Sequence, residues 1–254
     1  MAQSGQIIPN SYVDVKKVKA IQFGLINQDD LVDMGIKISK TQVMDQFGRP
    51  NEGGINDLRL GTVDKSLKCL TCNCDPKDCP GHFGYIDLAR PVYHVGFMDD
   101  IKKILKCVCF YCHKILLNDK KKLNDIKKIK NPKRRQLALY NLCKGLKECK
   151  RVQQQNEDDS QTHLSDSFEG GDLIDGCGSI QPVFKKDDKN PLNIKMEFKN
   201  ENGLDNIRDL TPDECLAHFQ KISDEDCRIL GFDPKWARPD WMIIKKLAVC
   251  PPPS

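Results

Sequence analysis

The chain has 254 residues, 39% of them hydrophobic and 30% charged, with a formal net charge of +4. It can bury a core in one or two domains, and no apolar run approaches a membrane-spanning length; with no secretory leader in view, the expectation is a soluble intracellular protein. The charge is unevenly spread: residues 101–151 carry 17 Lys/Arg against 3 acids, a local +14 that leaves −10 elsewhere, and residues 153–176 hold seven Asp/Glu and no Lys or Arg. Such a separation of sign predicts one face turned towards a polyanion and another turned away.

Residues 1–15 lack periodicity and read as a flexible terminus ahead of a domain over 16–254. Residues 18–26 read as a strand. Asn27 can cap a short helix through Asp29, Asp30, Leu31 and Val32 that ends near Gly35. Residues 44–61 are a Gly- and Asn-rich loop. A strand over 83–88 and a turn-rich crossing over 91–96 lead to a helix opened by Asp99 and Asp100, with Phe97, Ile101, Ile104, Leu105 and Val108 at helical spacing. A Lys-rich stretch, 119–130, follows. Asn131-Pro132 is a cap and first-turn pair for a helix whose stripe is Leu139, Leu142, Cys143 and Leu146.

Residues 152–176 are polar and acidic, as in an exposed loop. Ile194 to Phe198 alternate apolar and polar residues like a strand with one wet face. Thr211-Pro212-Asp213-Glu214 is a capping box before the stripe Cys215, Leu216, Phe219 and Ile222; Ser223 to Asp226 start a further helix that stops at Gly231. Trp241 begins an apolar strand to Val249. The elements predict an α+β fold of irregularly mixed helices and short strands.

The most specific signal is a pair of ligand turns. Cys69 and Cys72, then Cys79 and His82, stand six residues apart in a stretch too rich in Asp, Pro and Gly for a helix or strand. Two residues between donors let one tight turn aim both at a single tetrahedral ion, and the second turn closes the sphere with three thiolates and an imidazole. Four protein ligands leave no open position, so the ion is structural zinc rather than catalytic. A disulfide reading fails on the absence of a leader and on an odd count of 13 cysteines. Cys74, inside the knuckle, reads as a spectator that could swap for a neighbour.

Cys109 and Cys112 form a second turn that needs two further ligands from Cys143, Cys149, Cys177 or His113. Cys143 falls on the apolar stripe of its helix, Cys149 lies beyond that helix, and Cys177 sits between two glycines that let the backbone wrap an ion. The set chosen is Cys109, Cys112, Cys149 and Cys177. Cys107 is too close to Cys109 to share an ion with it. Cys215, Cys227 and Cys250 read as buried apolar filler, and His94 and His113 as core or surface histidines without a nucleophile or carboxylate at useful spacing.

Several runs carry a resemblance: Val18-Lys-Ala-Ile-Gln-Phe-Gly24, Gly61-Thr-Val-Asp64, Cys79-Pro-Gly-His-Phe-Gly-Tyr-Ile-Asp-Leu88, Pro91-Val-Tyr-His-Val-Gly-Phe97, Cys107-Val-Cys-Phe-Tyr-Cys112, Gly176-Cys-Gly-Ser-Ile-Gln-Pro182, Arg238-Pro-Asp-Trp-Met-Ile243 and Pro251-Pro-Pro253. Nearly the whole chain thus resembles the amino-terminal region of the largest subunit of eukaryotic DNA-directed RNA polymerase II. The resemblance implies a clamp core that helps enclose DNA and the RNA–DNA hybrid, two structural zinc ions on the two sets above, and partners among the remaining polymerase subunits, especially the second-largest. It implies a nuclear protein with no membrane and no small-molecule substrate in this segment. The family's catalytic magnesium loop lies beyond this chain, so the segment alone would be non-catalytic. Cys74 and the acidic loop depart from the family pattern.

Within the basic stretch, Lys127, Lys128, Lys130, Arg134 and Arg135 are the candidate nucleic-acid contacts, against the bland alternative of a solvated helix face. A RING-type ligase is disfavoured by the six-residue spacing and by the isolation of Cys149 from Cys177. A stand-alone zinc-ribbon adaptor is disfavoured by an apolar end, 241–249, expected to be exposed.

Overall fold

The computed structural model describes residues 16–21, 23–151, 176–187, 189–198 and 206–252. The terminus 1–15 and the acidic loop 152–175 lie outside the described residues. In chain order the elements are α1 (Gln28–Met34), β1 (Ile36–Lys37), β2 (Gly84–Tyr93), α2 (Met98–Cys107), α3 (Lys120–Lys127), α4 (Pro132–Cys143), β3 (Val183–Lys186), β4 (Ile194–Phe198), β5 (Asn206–Leu210), α5 (Pro212–Gln220), α6 (Asp224–Ile229) and β6 (Ile243–Val249), with 3-10 turns at Val95–Phe97 and Pro239–Met242. The fold is α+β.

Helix starts follow capping chemistry. Asn27, Asp119, Asn131, Thr211 and Ser223 each accept a backbone N–H of the first turn they precede, and Thr211 with Glu214 completes a reciprocal capping box. α2 is the pillar of the core. Its residues Met98, Ile101, Ile104, Leu105 and Cys107 are buried in one cluster with Leu139 and Cys143 of α4, Phe184, Ile194 and Met196 of the second sheet, and Cys215, Leu216 and Phe219 of α5. Each fully buried Leu or Ile contributes about 2 kcal/mol, so this stripe outweighs the three lysines on the opposite side of α2 in fixing the helix.

Two three-stranded sheets flank that core. In one, β1 runs parallel and β6 antiparallel to the central β2; in the other, β3, β4 and β5 form an antiparallel meander. The register of β2 against β6 shifts between Asp87 and Val92. Pro91 lies in that interval and has no N–H to give to a ladder, so the strand passes through an irregularity and resumes pairing at Val92 and Tyr93. The turn expected over 91–96 is therefore strand up to Tyr93.

Other expectations change as well. Residues 18–21 and 23–26 pair with no strand among the described residues. Among the described residues their backbone is tied by the Leu25 amide to the Trp236 carbonyl at 2.8 Å, and Val18, Ile21 and Phe23 are 76%, 78% and 94% exposed. The apolar end is the reverse: Met242 and Ile243 are fully buried, Trp241 belongs to a 3-10 turn, and β6 pairs with β2. Leu142 is exposed at the margin of the α4 stripe, with Leu139 and Cys143 buried. Cys250 is also exposed, whereas Cys215 and Cys227 are buried as expected.

Candidate metal centres

The first donor set hangs on the loop between β1 and β2, outside the main core cluster. A buried anchor, Leu60, sits beneath it, and the His82 amide donates to the Leu60 carbonyl at 2.9 Å. The Cys69 turn is tied to the same loop by the Leu70 amide to the Leu58 carbonyl (3.1 Å) and by the Thr71 hydroxyl to the Arg59 carbonyl (2.7 Å). The second turn is closed by the Cys79 amide to the Asp75 carbonyl at 2.9 Å. These ties bring one donor atom from each of Cys69, Cys72, Cys79 and His82 within 4.8 Å of all the others.

The second set forms at the C-terminal end of α2, on the edge of the core. The Cys109 amide donates to the Lys114 carbonyl at 2.8 Å and the His113 amide to the Cys109 carbonyl at 3.0 Å, with His113 in the left-handed region at φ 63° to close the turn. The other two thiols arrive through a short antiparallel crossing: Cys149 donates its amide to Ser179 O at 3.0 Å, and Gly178 donates to Cys149 O at 2.7 Å. At Gly176 a Cβ would lie 2.4 Å from the Lys150 carbonyl oxygen and 2.7 Å from the Cys149 sulfur, so only glycine lets the strands approach this closely. Cys109, Cys112, Cys149 and Cys177 then also lie within 4.8 Å of one another.

Both sets have the dimensions of a tetrahedral thiolate site. With Zn–S bonds of about 2.3 Å, two sulfurs on a tetrahedron stand about 3.8 Å apart, and a sulfur and an imidazole nitrogen slightly less. The Sγ atoms of Cys109 and Cys177 are 3.6 Å apart, those of Cys112 and Cys149 3.8 Å, and Cys79 Sγ is 3.7 Å from His82 Nε2. All are far beyond a disulfide bond. The donors are soft and nitrogenous, which suits zinc.

The electrostatics agree. In the first set, the His82 side chain and then the Cys74 amide bring the Cys72 thiol down to about 6. For Cys79 the Gly81 amide favours the thiolate, but burial and the neighbouring Cys72 and Cys69 outweigh it and push the thiol up to about 11. In the second, burial opposes ionisation of Cys177, yet hydrogen bonds from Ser179, Cys109 and Cys149 bring it down to about 6, while burial pushes Cys149 up. Crowded acids share protons in this way because one negative charge opposes the next; a divalent cation among them removes the opposition.

A model of the family described as RNA polymerase Rpb1, domain 1, matches residues 15–254. The chain belongs to that family. It is 42% identical over 254 residues, 98% of its own length, to the DNA-directed RNA polymerase II subunit RPB1 of Euplotoides octocarinatus, and it spans 50% of that relative. It corresponds to the amino-terminal region of the largest subunit.

In this Rpb1 domain the two donor sets are consecutive along the chain, not interleaved as a RING cross-brace requires. His113 stays out of the second set: its Nδ1 meets Nδ1 of the buried His218 at 2.6 Å. Cys143 lies in the core, where the Cys107 thiol is hydrogen-bonded to it and pushed upwards. A residue given no role from sequence is Gln181, whose Nε2 donates to Cys109 Sγ at 3.2 Å while its Oε1 accepts the Phe110 amide at 2.9 Å. Outer contacts of this kind orient a ligand thiolate. The only trace of it in the sequence is its place four residues after Cys177.

The five basic candidates divide. Lys127 is ion-paired with Glu225 and Lys128 with Asp125, both at 2.8 Å, and Arg135 turns inwards to the Ile129 carbonyl at 2.9 Å. Lys130 and Arg134, with Lys133 between them, make no ion pair with a described residue. These three gather where the chain enters α4.

Proposed function

We propose that this chain is a zinc-stapled clamp-core segment, over residues 16–254, of the largest subunit of DNA-directed RNA polymerase II, and that it helps enclose DNA and the RNA–DNA hybrid without itself being catalytic. Membership of the Rpb1 family together with two closed four-donor sets carries the reading: every donor position is filled by protein, so the ions would staple loops rather than activate substrate. Cys69, Cys72, Cys79 and His82 would hold one zinc and Cys109, Cys112, Cys149 and Cys177 the other. When bound, each ion would supply cross-linking free energy, the first to a loop outside the main core cluster and the second to turns at the edge of that core.

The remaining subunits of the enzyme, the second-largest foremost, would be its protein partners and the nucleus its site of work. The exposed Val18, Ile21 and Phe23 suit such burial against another chain. Lys130, Lys133 and Arg134 crowd the N-terminal turn of α4, where the helix dipole is already positive, and a phosphate would relieve that crowding. The alternative is a stand-alone zinc-ribbon adaptor that binds duplex DNA without partners.

Photocrosslinking from template DNA in an assembled elongation complex tests the enclosure. Adducts on the segment around Lys130 and Arg134 are expected; an absence of adducts anywhere in residues 16–252 would refute it. Tight binding of duplex DNA by the isolated chain would favour the adaptor.

A further inference from the structure

Gln181 joins the two halves of the second donor set. Cys109 and Cys177 stand 68 residues apart in the chain, and one carboxamide touches the segments that carry both. Its Oε1 accepts the Phe110 amide at 2.9 Å, while its Nε2 donates to the Ser179 carbonyl at 2.9 Å and to Cys109 Sγ at 3.2 Å. The same Ser179 carbonyl accepts the Cys149 amide at 3.0 Å, and the Gln181 amide donates to the Lys147 carbonyl at 2.7 Å, so the residue is pinned through backbone and side chain alike.

These partners fix which way the carboxamide points. Phe110 offers a hydrogen and the Ser179 carbonyl offers only lone pairs, so the oxygen must face Phe110 and the nitrogen Ser179. A carboxamide nitrogen has two hydrogens; one goes to Ser179, and the other falls to the sulfur. Cys109 needs that donor. The residue is 0% exposed, so water cannot solvate charge on its sulfur, and a buried charge without hydrogen bonds is costly. Cys177 of the same set is exposed. In the first set, among the described residues, the donors to Cys79 Sγ are a backbone amide and His82, itself one of the four, so no side chain outside the set plays this part there.

We infer that Gln181 is a positioning residue of the second site: it aims the Cys109 sulfur at the ion and withdraws charge from that thiolate through the N–H···S hydrogen bond. The inference rests on the zinc reading given above. A hydrogen bond to a thiolate lowers the energy of its lone pairs, so electron transfer from sulfur to a bound metal takes more energy, and the sulfur is a weaker nucleophile. Because the same carboxamide also holds Phe110 and Ser179, the Cys109 arm and the Cys149 arm are set against each other before the ion arrives.

Cobalt(II) in place of zinc reads the sulfurs through their charge-transfer absorption. Gln181→Glu keeps the shape and the acceptor for Phe110 but, ionised, has no hydrogen for sulfur; Gln181→Met keeps the length and neither hydrogen bond. In the cobalt-loaded 254-residue chain both variants should retain two equivalents of metal, absorb at lower energy than the wild type, and hold the second ion about tenfold more weakly in chelator competition. Wild-type absorption in Gln181→Glu would mean that the residue only braces Phe110, and would overturn the inference. A measurement on the wild type does not depend on how variants fold: with spin-active cadmium bound, NMR should show a scalar coupling from one Gln181 Nε2 hydrogen to the ion through the Cys109 sulfur, and its absence would overturn the inference as well. Failure of the zinc reading looks different, since it would leave two equivalents of metal in the double variant C149S/C177S.

Discussion

The Asp57 carboxylate, 1% exposed, meets the Arg59 guanidinium at 2.6 Å and also accepts the amides of Gly53 at 2.6 Å and Arg59 at 2.9 Å. Burial alone would raise its pKa, but the Arg59 side chain and the two amides outweigh it and hold the carboxyl below its ordinary 3.8. A folded-state pKa below the unfolded one stabilises fully above the unfolded value, and the gain is lost as pH falls through the folded value. The carbonyl of Arg59 carries Thr71, so the pair also braces the first donor set. Asp57→Asn should cost about 2 kcal/mol near neutral pH. Urea midpoints at pH 7 and pH 3 check this: the gap between wild type and variant should narrow at the lower pH, and an equal gap at both would contradict the assignment.

Gly81 stands at φ 78°, and a Cβ there would lie 2.6 Å from Pro251 Cβ. Gly81→Ala is therefore expected to lose about 1 kcal/mol to the left-handed backbone and more to the displaced proline. Gly145→Ala meets nothing within 4 Å and should be close to neutral. Thermal midpoints of the two variants should differ by several degrees, with Gly81→Ala the lower; coincident midpoints would mean that Pro251 moves aside without cost.

What the sequence made legible was local. Caps at Asn27, Asn131 and Thr211, and the helix start at Ser223, are read correctly because each depends on a side chain and an amide two or three residues away. Cys143 shows its core role by its place on an apolar stripe, which leaves Cys149 and Cys177 for the Cys109 turn, and the structure brings Cys109, Cys112, Cys149 and Cys177 together. Failures lie where tertiary partners decide. Residues 18–26 have strand composition but no partner strand among the described residues, and β5, with Asn206 to Asp209 exposed, has no inward stripe to betray it. Pro91 suggested an end to β2, yet one missing N–H is tolerated where the ladder slips. Ion pairs across the fold, such as Lys127 with Glu225, are likewise invisible to a count of charges.

Removal of zinc should unfold the two donor loops unequally. Closed zinc sites contribute on the order of 10 kcal/mol of folding free energy in small peptides. The second set adjoins buried α2 and α4, whereas the first lies outside that core. Hydrogen exchange after chelation should therefore rise to the unfolded rate over residues 58–82 but less over 107–116, where the Val108 and Leu116 amides have backbone acceptors in the packed core. Intact protection over 58–82 without metal would show that the first loop needs no ion.

The basic stretch offers a finer test than its net charge. Lys and Arg near phosphates release counterions and give a salt-dependent, sequence-independent attraction, which suits a clamp through which any template slides. Lys127 and Lys128 already face carboxylates, and the Arg135 guanidinium is turned to a backbone carbonyl, so these three have less charge to offer. In the assembled polymerase, Lys130→Ser with Arg134→Ser should shorten the life of elongation complexes as salt rises and lower the slope of log affinity against log salt by about 2, about one for each lost phosphate contact. Lys127→Ser with Lys128→Ser should change that slope by less than half as much, and the rate of each nucleotide addition should stay nearly constant in both. Equal slopes for both pairs would mean that the ion pairs open on binding; no change in either would mean that this face meets solvent or another subunit instead of nucleic acid.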